Sequence, residues 1–364
     1  MKLIINDNKV EAKEGVTILE ASILNRVYIP TICYHPDLRA GRGLKPKDVI
    51  YRGNDFFECV EFKETEGCQL CVVEVKDRGI VTSCDTQISE GMVIYTETPE
   101  IKKIRKDRLS QILAKHPHVC LTCAQREGCT REPCSMNVPV EERCCIKFGN
   151  CELQKVTEYI GIKEDTPRWI PTNKPILKDE PLFNRDYNLC IECTRCVRAC
   201  ESLANADALG FIIHNGDVIV GSVKSTFRES KCKFCGACVE VCPTGALLDK
   251  DPNRPSKSKI RINIAKVPLP PEKWLEFNEE NIKAVPEVEG VFTLYDENKM
   301  TIYIKGTQNL RKELEEELKT MEKAKYFEYE EDPMYTKRES ELIQQFMQKY
   351  GKLPEGNDIL DDLF

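Results

Sequence analysis

The pattern that most constrains this chain is a cysteine run that occurs twice. Residues 190–200 read Cys190-Ile-Glu-Cys193-Thr-Arg-Cys196-Val-Arg-Ala-Cys200, and residues 232–243 read Cys232-Lys-Phe-Cys235-Gly-Ala-Cys238-Val-Glu-Val-Cys242-Pro243. Both follow C-x2-C-x2-C-x3-C, and the second carries a trailing proline. Thiolates at this spacing hold cubane iron–sulfur clusters, and in a tandem pair the fourth cysteine of each run ligates the other run's cluster. The expected ligand sets are Cys190, Cys193, Cys196 and Cys242 for one [4Fe–4S] cluster, and Cys200, Cys232, Cys235 and Cys238 for a second. Two zinc knuckles are the alternative. Four evenly spaced cysteines, twice over, depart from the open ligand spacings typical of zinc.

The other cysteines are read in the same light. The chain has 20 of them in 364 residues, too long for a small disulfide-stapled secreted domain. It opens Met-Lys-Leu-Ile-Ile-Asn-Asp, without an apolar signal region, and has no apolar run of membrane-spanning length. Metal ligands in a reducing compartment, the cytoplasm, are therefore expected, with no membrane insertion. The net charge of −7 implies no general affinity for nucleic acid. Charge is unevenly spread: from Glu276 onward 22 acidic residues face 12 basic ones, −10, which leaves +3 for the remainder. No G-x-G-x-x-G fingerprint for a dinucleotide is present.

In chain order, Lys2–Asn6 and Val10–Lys13 flank the turn-like Asp7-Asn8-Lys9, and an amphipathic helix follows over Thr17–Arg26, with Thr17 as its N-cap. Then come Cys33, the pair Cys68 and Cys71, and Cys84. A hairpin, a helix and cysteines in this order resemble the [2Fe–2S] domain that opens the large iron–sulfur subunit of respiratory complex I and many [FeFe]-hydrogenases. The resemblance implies a β-grasp ferredoxin fold over residues 1–98, with Cys33, Cys68, Cys71 and Cys84 as [2Fe–2S] ligands. The family's first gap is short, so residues 38–66 stand as an insertion. Cys59 within it matches nothing in the family and reads as a free thiol, and His35 reads as a surface residue.

A helix with Ile101, Ile104, Leu109, Ile112 and Leu113 on one face leads to His116-Pro-His118-Val-Cys120-Leu-Thr-Cys123. H-x3-C-x2-C-x5-C resembles the His/Cys3 site of the same subunits and implies another [4Fe–4S] cluster, with His118 as the competing imidazole. One imidazole in place of a thiolate removes negative charge and raises the cluster's potential. In the family, Glu-Leu-Gln follows the closing cysteine at once. Here Cys129 lacks that sequel and Cys151 has it, so the set is read as His116, Cys120, Cys123 and Cys151, with Cys129 as the alternative. Residues 129–148 are then an insert owning Cys129, Cys134, Cys144 and Cys145, enough for an extra cluster. Adjacent side chains at Cys144 and Cys145 point different ways, so sharing one cluster requires a bent loop.

Gly210–Gly221 reads as a hairpin turning at Asn215-Gly216, with His214 on the surface. A Pro- and Lys-rich linker, residues 251–275, separates the cysteine-bearing part from a cysteine-free end. Residues 276–364 resemble a degenerate GIY-YIG nuclease domain. Phe292 replaces the first tyrosine, Tyr303 matches the second with Lys305 as padding, Glu313 stands where the catalytic arginine is expected, and Glu339 falls at the metal-binding glutamate. An acidic domain without that arginine reads as an inactive docking module. Its tail, Asp358–Phe364, is acidic and apolar.

The expected architecture is α+β and multidomain: a [2Fe–2S] ferredoxin domain (1–98), a His/Cys3 domain (99–175), a bacterial two-cluster ferredoxin domain (176–250), the linker and a small α/β domain (276–364). One [2Fe–2S] and three [4Fe–4S] clusters are implied, four if the insert holds one. Residues 1–250 resemble the iron–sulfur half of the complex I large subunit, without the catalytic domain that follows it there. The expectation is a non-catalytic electron-relay subunit of an NAD(P)H- or flavin-linked anaerobic oxidoreductase. The resemblance implies an FMN- and NADH-binding subunit, a small [2Fe–2S] subunit and a terminal catalytic subunit (hydrogenase, formate dehydrogenase, electron-bifurcating or acyl-CoA reductase) as partners. A cluster-bearing nucleic-acid-processing protein is the alternative; the acidity of its last domain argues against it.

Overall fold

The computed structural model describes residues 1–123, 129, 131–134, 136–178, 180–250, 264–271 and 274–357. Residues 251–263 of the linker and the tail Asp358–Phe364 lie outside the described residues. The chain divides into two compact units, one reaching to Pro270 and the other beginning at Pro271.

The first unit opens with the hairpin β1 (Lys2–Ile5) and β2 (Asn8–Glu11). The turn is Asn6-Asp7, one register earlier than the sequence suggests. Asn6 and Asp7 take left-handed φ values of 47° and 65°, the two-residue geometry that matches strand twist and that short Asn and Asp side chains tolerate. Helix α1 (Ile18–Leu24) follows, and Thr17 and Glu20 close a reciprocal capping box at its start. Ile18, Leu19 and Ala21 bury against Leu3, Ile5, Val73 and Ile94.

Strands β3 (Val49–Arg52) and β4 (Asp55–Glu58) come next, then β5 (Val72–Val75), β6 (Gly79–Thr82) and β7 (Val93–Tyr95). The N-terminal sheet has the order β2-β1-β7-β5-β6, with β1 and β7 parallel. Strands β3 and β4 do not join it. Residues 38–66, read from the sequence as an insertion in the first domain, carry these two strands to another sheet. They extend the hairpin β10 (Leu209–His214) and β11 (Asp217–Ser222) into a sheet of order β10-β11-β3-β4. The join is close: a Cβ on Gly221 would lie 2.4 Å from the Tyr51 carbonyl oxygen, so only glycine fits. Arg52 Nε donates to the Val220 carbonyl at 3.0 Å.

Helices α2 (Pro99–Leu113) and α3 (Glu152–Ile160) pack through Leu109, Leu113, Leu153 and Val156. Strands β8 (Ile176–Leu177), β9 (Phe183–Asp186) and β12 (Leu247–Asp249) form a small sheet with β9 at its centre. This sheet and the β10–β11 hairpin enclose α4 (Arg195–Ser202) and α5 (Ala237–Glu240), the helices that carry the tandem cysteines.

The second unit is an antiparallel sheet of order β13-β16-β14-β15, built from β13 (Leu275–Glu276), β14 (Gly290–Tyr295), β15 (Thr301–Thr307) and β16 (Tyr326–Glu331). On one face Phe292 and Leu294 meet α6 (Glu279–Lys283) and α7 (Leu310–Thr320) through Ile282, Leu310 and Leu314. On the other, Val291 and Ile304 meet Phe346 of α8 (Tyr335–Tyr350). The alternation along β14 thus buries both faces.

Candidate metal centres

The two tandem runs share one backbone device. In the first, Glu192 and Thr194 adopt φ of 62° and 58°; in the second, Phe234 and Gly236 adopt 49° and 80°. These are the second and fourth residues after each leading cysteine. Left-handed backbone at both points curls the chain so that successive thiols face inward. Each curl then enters its helix. On α4, Cys196 and Cys200 stand one turn apart, about 6 Å along the axis, and they divide between two cavities.

The first cavity is lined by Cys190, Cys193, Cys196 and Cys242, with Arg185, Tyr187 and Thr244 in its wall. The second is lined by Cys200, Cys232, Cys235 and Cys238, with Phe183 and Phe227. Three cysteines of each set come from one run and the fourth from the other. Burial pushes the Cys190 thiol up to about 12 and the Cys200 thiol up to about 11, and raises Cys193 and Cys238 further. A buried thiol resists losing its proton unless a cation takes its place. Such donor sets suit iron, which supplies that charge. The Phe234 N–H donates to Cys232 Sγ at 3.4 Å, an amide donor aimed at a thiol of the second cavity.

Cys33, Cys68, Cys71 and Cys84 come from the loop after α1 and from the two ends of the β5–β6 hairpin. A hydrogen bond from Cys33 lowers the Cys68 thiol, and the hydrogen bond to Cys84 together with burial raises the Cys71 thiol. Two glycines leave the space in front of Cys33 open. A Cβ on Gly41 would lie 3.2 Å from Cys33 Sγ, and one on Gly67 would lie 3.6 Å away. Arg198 Nη2 donates to the carbonyls of Cys33 and Cys193, tying this loop to the first tandem run.

His116 is buried, and its Nδ1 meets the Pro117 carbonyl at 2.8 Å. A carbonyl only accepts, so Nδ1 carries the proton and Nε2 presents a bare lone pair. That Nε2 is buried and has no hydrogen-bond partner. Burial holds the imidazole neutral, its pKa pushed down to about 4. An orphaned, neutral Nε2 is the form a metal takes. His118 is committed through Nδ1 to the His116 carbonyl at 2.9 Å.

The other cysteines of this region separate. Cys144 joins Cys120: its N–H lies 3.3 Å from Cys120 Sγ, and its own Sγ lies 3.5 Å from the Pro117 carbonyl oxygen. Cys145 faces elsewhere, where a Cβ on Gly245 would come within 2.4 Å of its Sγ. Cys151 Sγ lies 3.6 Å from the Pro243 carbonyl oxygen. The adjacent pair Cys144-Cys145 thus points two ways. Among the described residues no three His, Cys, Asp or Glu side chains close on a single-ion spacing. Cys59 is buried between Ile50 and Ile212.

Two features escaped the sequence reading. His35 is buried, not surface. Its Nδ1 accepts from the Asp37 N–H at 3.2 Å, and burial beside the Arg195 and Arg198 charges lowers its pKa. Five arginines, Arg52, Arg105, Arg185, Arg195 and Arg198, are also buried. Nothing in the sequence marks them, because arginine is usually a surface residue. Arg195, inside the first run, makes a two-pronged ion pair with Glu152 at 2.7 and 2.6 Å. Glu152 directly follows Cys151, so this pair docks α3 onto α4.

Three families match parts of the chain. Residues 58–99 match the "2Fe-2S iron-sulfur cluster binding domain", and residues 180–248 match "NADH-quinone oxidoreductase subunit 3, ferredoxin-like domain". Residues 267–349 match a "Domain of unknown function (DUF7508)". Over 252 residues, 68% of the chain, it is 31% identical to the NADH-quinone oxidoreductase G 2 subunit of Rhizobium meliloti, covering 24% of that protein. It is 27% identical over 256 residues, 69% of the chain, to the NADP-reducing hydrogenase subunit HndD of Solidesulfovibrio fructosivorans, covering 36% of it. Against the NADPH-Fe(3+) oxidoreductase subunit alpha of Geobacter sulfurreducens it is 26% identical over 252 residues, 69% of the chain and 24% of the relative. The chain spans about a quarter to a third of these relatives' length. A structure of NAD+-reducing [NiFe]-hydrogenase aligns with 70% of the chain and 90% of its own, at 22% identity and a TM-score of 0.49.

The chain therefore carries a 2Fe-2S-type ferredoxin domain and a 4Fe-4S-type ferredoxin-like domain, and it is similar to the iron–sulfur region of NADH-quinone oxidoreductase G subunits and of hydrogenase subunits. The GIY-YIG resemblance finds no such support. Phe292 is a core residue, and Glu313 pairs with Lys305 at 2.7 Å, closing the polar corner where a nuclease would need an arginine. The nucleic-acid alternative loses its premise with it. No helix among the described residues is long and apolar enough to cross a membrane.

Proposed function

We propose that this chain is a non-catalytic electron-transfer subunit of a multisubunit oxidoreductase in a reducing, cytoplasmic compartment. In this reading Cys33, Cys68, Cys71 and Cys84 hold a [2Fe–2S] cluster. Cys190, Cys193, Cys196 and Cys242 hold one [4Fe–4S] cluster, and Cys200, Cys232, Cys235 and Cys238 hold another. His116, Cys120 and Cys123 hold a third, closed by Cys151 or Cys129. Bound clusters would supply one-electron redox centres.

The observation that carries the reading is the division of eight tandem cysteines into two buried cavities, four to each, in the crossed pattern. The protein's part is to bury the thiols, aim amide and guanidinium donors toward them, and keep water out. Arg198 donates to the carbonyls of both Cys33 and Cys193, which ties the two loops together. Nothing in the described residues offers a dinucleotide fold, so each end of the relay belongs to a partner. The relatives' names are those of NADH-quinone and NADPH-Fe(3+) oxidoreductase subunits and an NADP-reducing hydrogenase subunit; on one side of the relay we place an FMN- and NADH-binding subunit with a small [2Fe–2S] companion. A terminal hydrogenase, formate dehydrogenase, bifurcating or acyl-CoA reductase subunit stands on the other. Beyond Pro271 we read the second unit as a docking module.

Anaerobic purification of the full chain, with iron and sulfide analysis and electron paramagnetic resonance (EPR) after reduction, tests this. About fourteen iron atoms are expected, or about eighteen if the Cys134 region holds a further cubane. Stoichiometric zinc in place of iron, or a chain that reduces a substrate by itself, overturns the reading.

A further inference from the structure

The five buried arginines are not alike. Arg195 has Glu152, and Arg105 has Glu97 at 2.8 Å and the Val72 carbonyl at 2.9 Å. Arg52 has the Val220 carbonyl, and Arg198 has the carbonyls of Arg39, Cys33 and Cys193. Arg185 has neither carboxylate nor carbonyl. It is 3% exposed, its Nε and Nη2 are buried without a partner in hydrogen-bond geometry, and among the described residues it forms no ion pair. An uncompensated buried guanidinium is costly and persists only where other anions answer it.

Its place in the fold shows which anions those are. Strand β9 passes between the two tandem cavities. Phe183 lines the second, and Arg185, on the same face two residues on, lines the first. The guanidinium lies 5.5 Å from the Tyr187 ring, which lines the first cavity, and 5.4 Å from the Phe227 ring, which lines the second. Its positive charge works against the burial that raises the thiols of Cys196 in the first set and of Cys232 and Cys238 in the second.

We propose that Arg185, held between the two four-cysteine cavities with no carboxylate of its own, is the shared counter-ion of both tandem clusters and raises both of their potentials. A cluster on four thiolates is anionic and gains one further negative charge on reduction. A fixed cation in the dry wall between two such groups favours the reduced form of each. It also screens their mutual repulsion, so that the pair can hold two electrons. The inference rests on the cluster assignment proposed above.

The test is an EPR-monitored redox titration of the full chain, anaerobically loaded, as wild type, R185Q and R185K. In R185Q the reduced-to-oxidised ratio of both tandem clusters at a fixed potential is expected to fall at least tenfold, which is 59 mV for one electron. The [2Fe–2S] ratio stays within threefold, and R185K restores the tandem ratios to within threefold of wild type. Tandem ratios that do not move in R185Q, or a [2Fe–2S] ratio that falls equally, overturn the inference. If R185Q loads poorly, R185K decides: ratios kept within threefold support it, and a tenfold fall with the charge retained overturns it. Wild-type chain without tandem [4Fe–4S] signals overturns the cluster reading and this inference together, whereas signals present but unmoved overturn only this inference.

Discussion

The Glu152–Arg195 pair joins the helix after Cys151 to the first tandem run, and its removal has a calculable cost. The Arg195 side chain is 1% exposed and that of Glu152 13%, with two hydrogen bonds of 2.7 and 2.6 Å between them. At an effective dielectric near 20, two unit charges about 4 Å apart attract by about 4 kcal/mol. Much of this is offset by the desolvation of both groups. Deleting one partner does not return that desolvation. In E152A the guanidinium keeps only a 3.5 Å contact to the Val241 carbonyl, and breaking a buried pair in this way costs about 3–5 kcal/mol. The strain falls on α4, which carries Cys196 and Cys200. If local opening precedes cluster loss, 3 kcal/mol corresponds to bleaching roughly a hundredfold faster. The assay is stopped-flow loss of visible absorbance in moderate guanidinium chloride, under anaerobic conditions. The double variant E152L/R195M, apolar and of similar volume, is expected within about 1.5 kcal/mol of wild type. E152A bleaching within threefold of wild type, or a double variant as labile as the single, would refute the electrostatic account.

Three further outcomes follow from the geometry. C242S, although it alters the second cysteine run, is expected to remove about four iron atoms and the EPR signal of the cluster on Cys190, Cys193 and Cys196; loss of the other tandem signal instead would reverse the assignment. G41A places a methyl 3.2 Å from Cys33 Sγ and 3.4 Å from Arg198 Nη2, an overpacking of about 1–3 kcal/mol, so [2Fe–2S] absorbance should drop while the tandem signals remain. H116C puts a thiolate where the bare Nε2 points, and the added negative charge should lower that cluster's potential by about 60 mV or more while iron content is kept; unchanged potential would show that His116 is not a ligand.

What the sequence made legible follows from how local the physics is. The tandem runs were readable because their spacing, their glycine at 236 and their helices are written within a dozen residues. The Thr17–Glu20 cap is equally local. The partition of Cys144 from Cys145 was half readable: adjacent side chains diverge, but only tertiary packing places one at Cys120 and the other at Gly245. That residues 38–66 join a distant sheet was not readable, because the partner strand lies some 170 residues away, at Ser222 opposite Tyr51. No periodicity reports such a pairing; the sole trace is Gly221, whose reason appears only once the Tyr51 carbonyl is seen against it. The buried arginines were illegible for a different reason. Arg185, Arg195 and Arg198 look like the charged spacers of any surface loop, and their burial becomes favourable only when eight thiols and Glu152 surround them. A sequence lists donors for a metal, whereas the charges that balance those donors are assembled by the fold. The cationic wall around the tandem cavities is therefore the part of this site that reading cysteines alone could not supply.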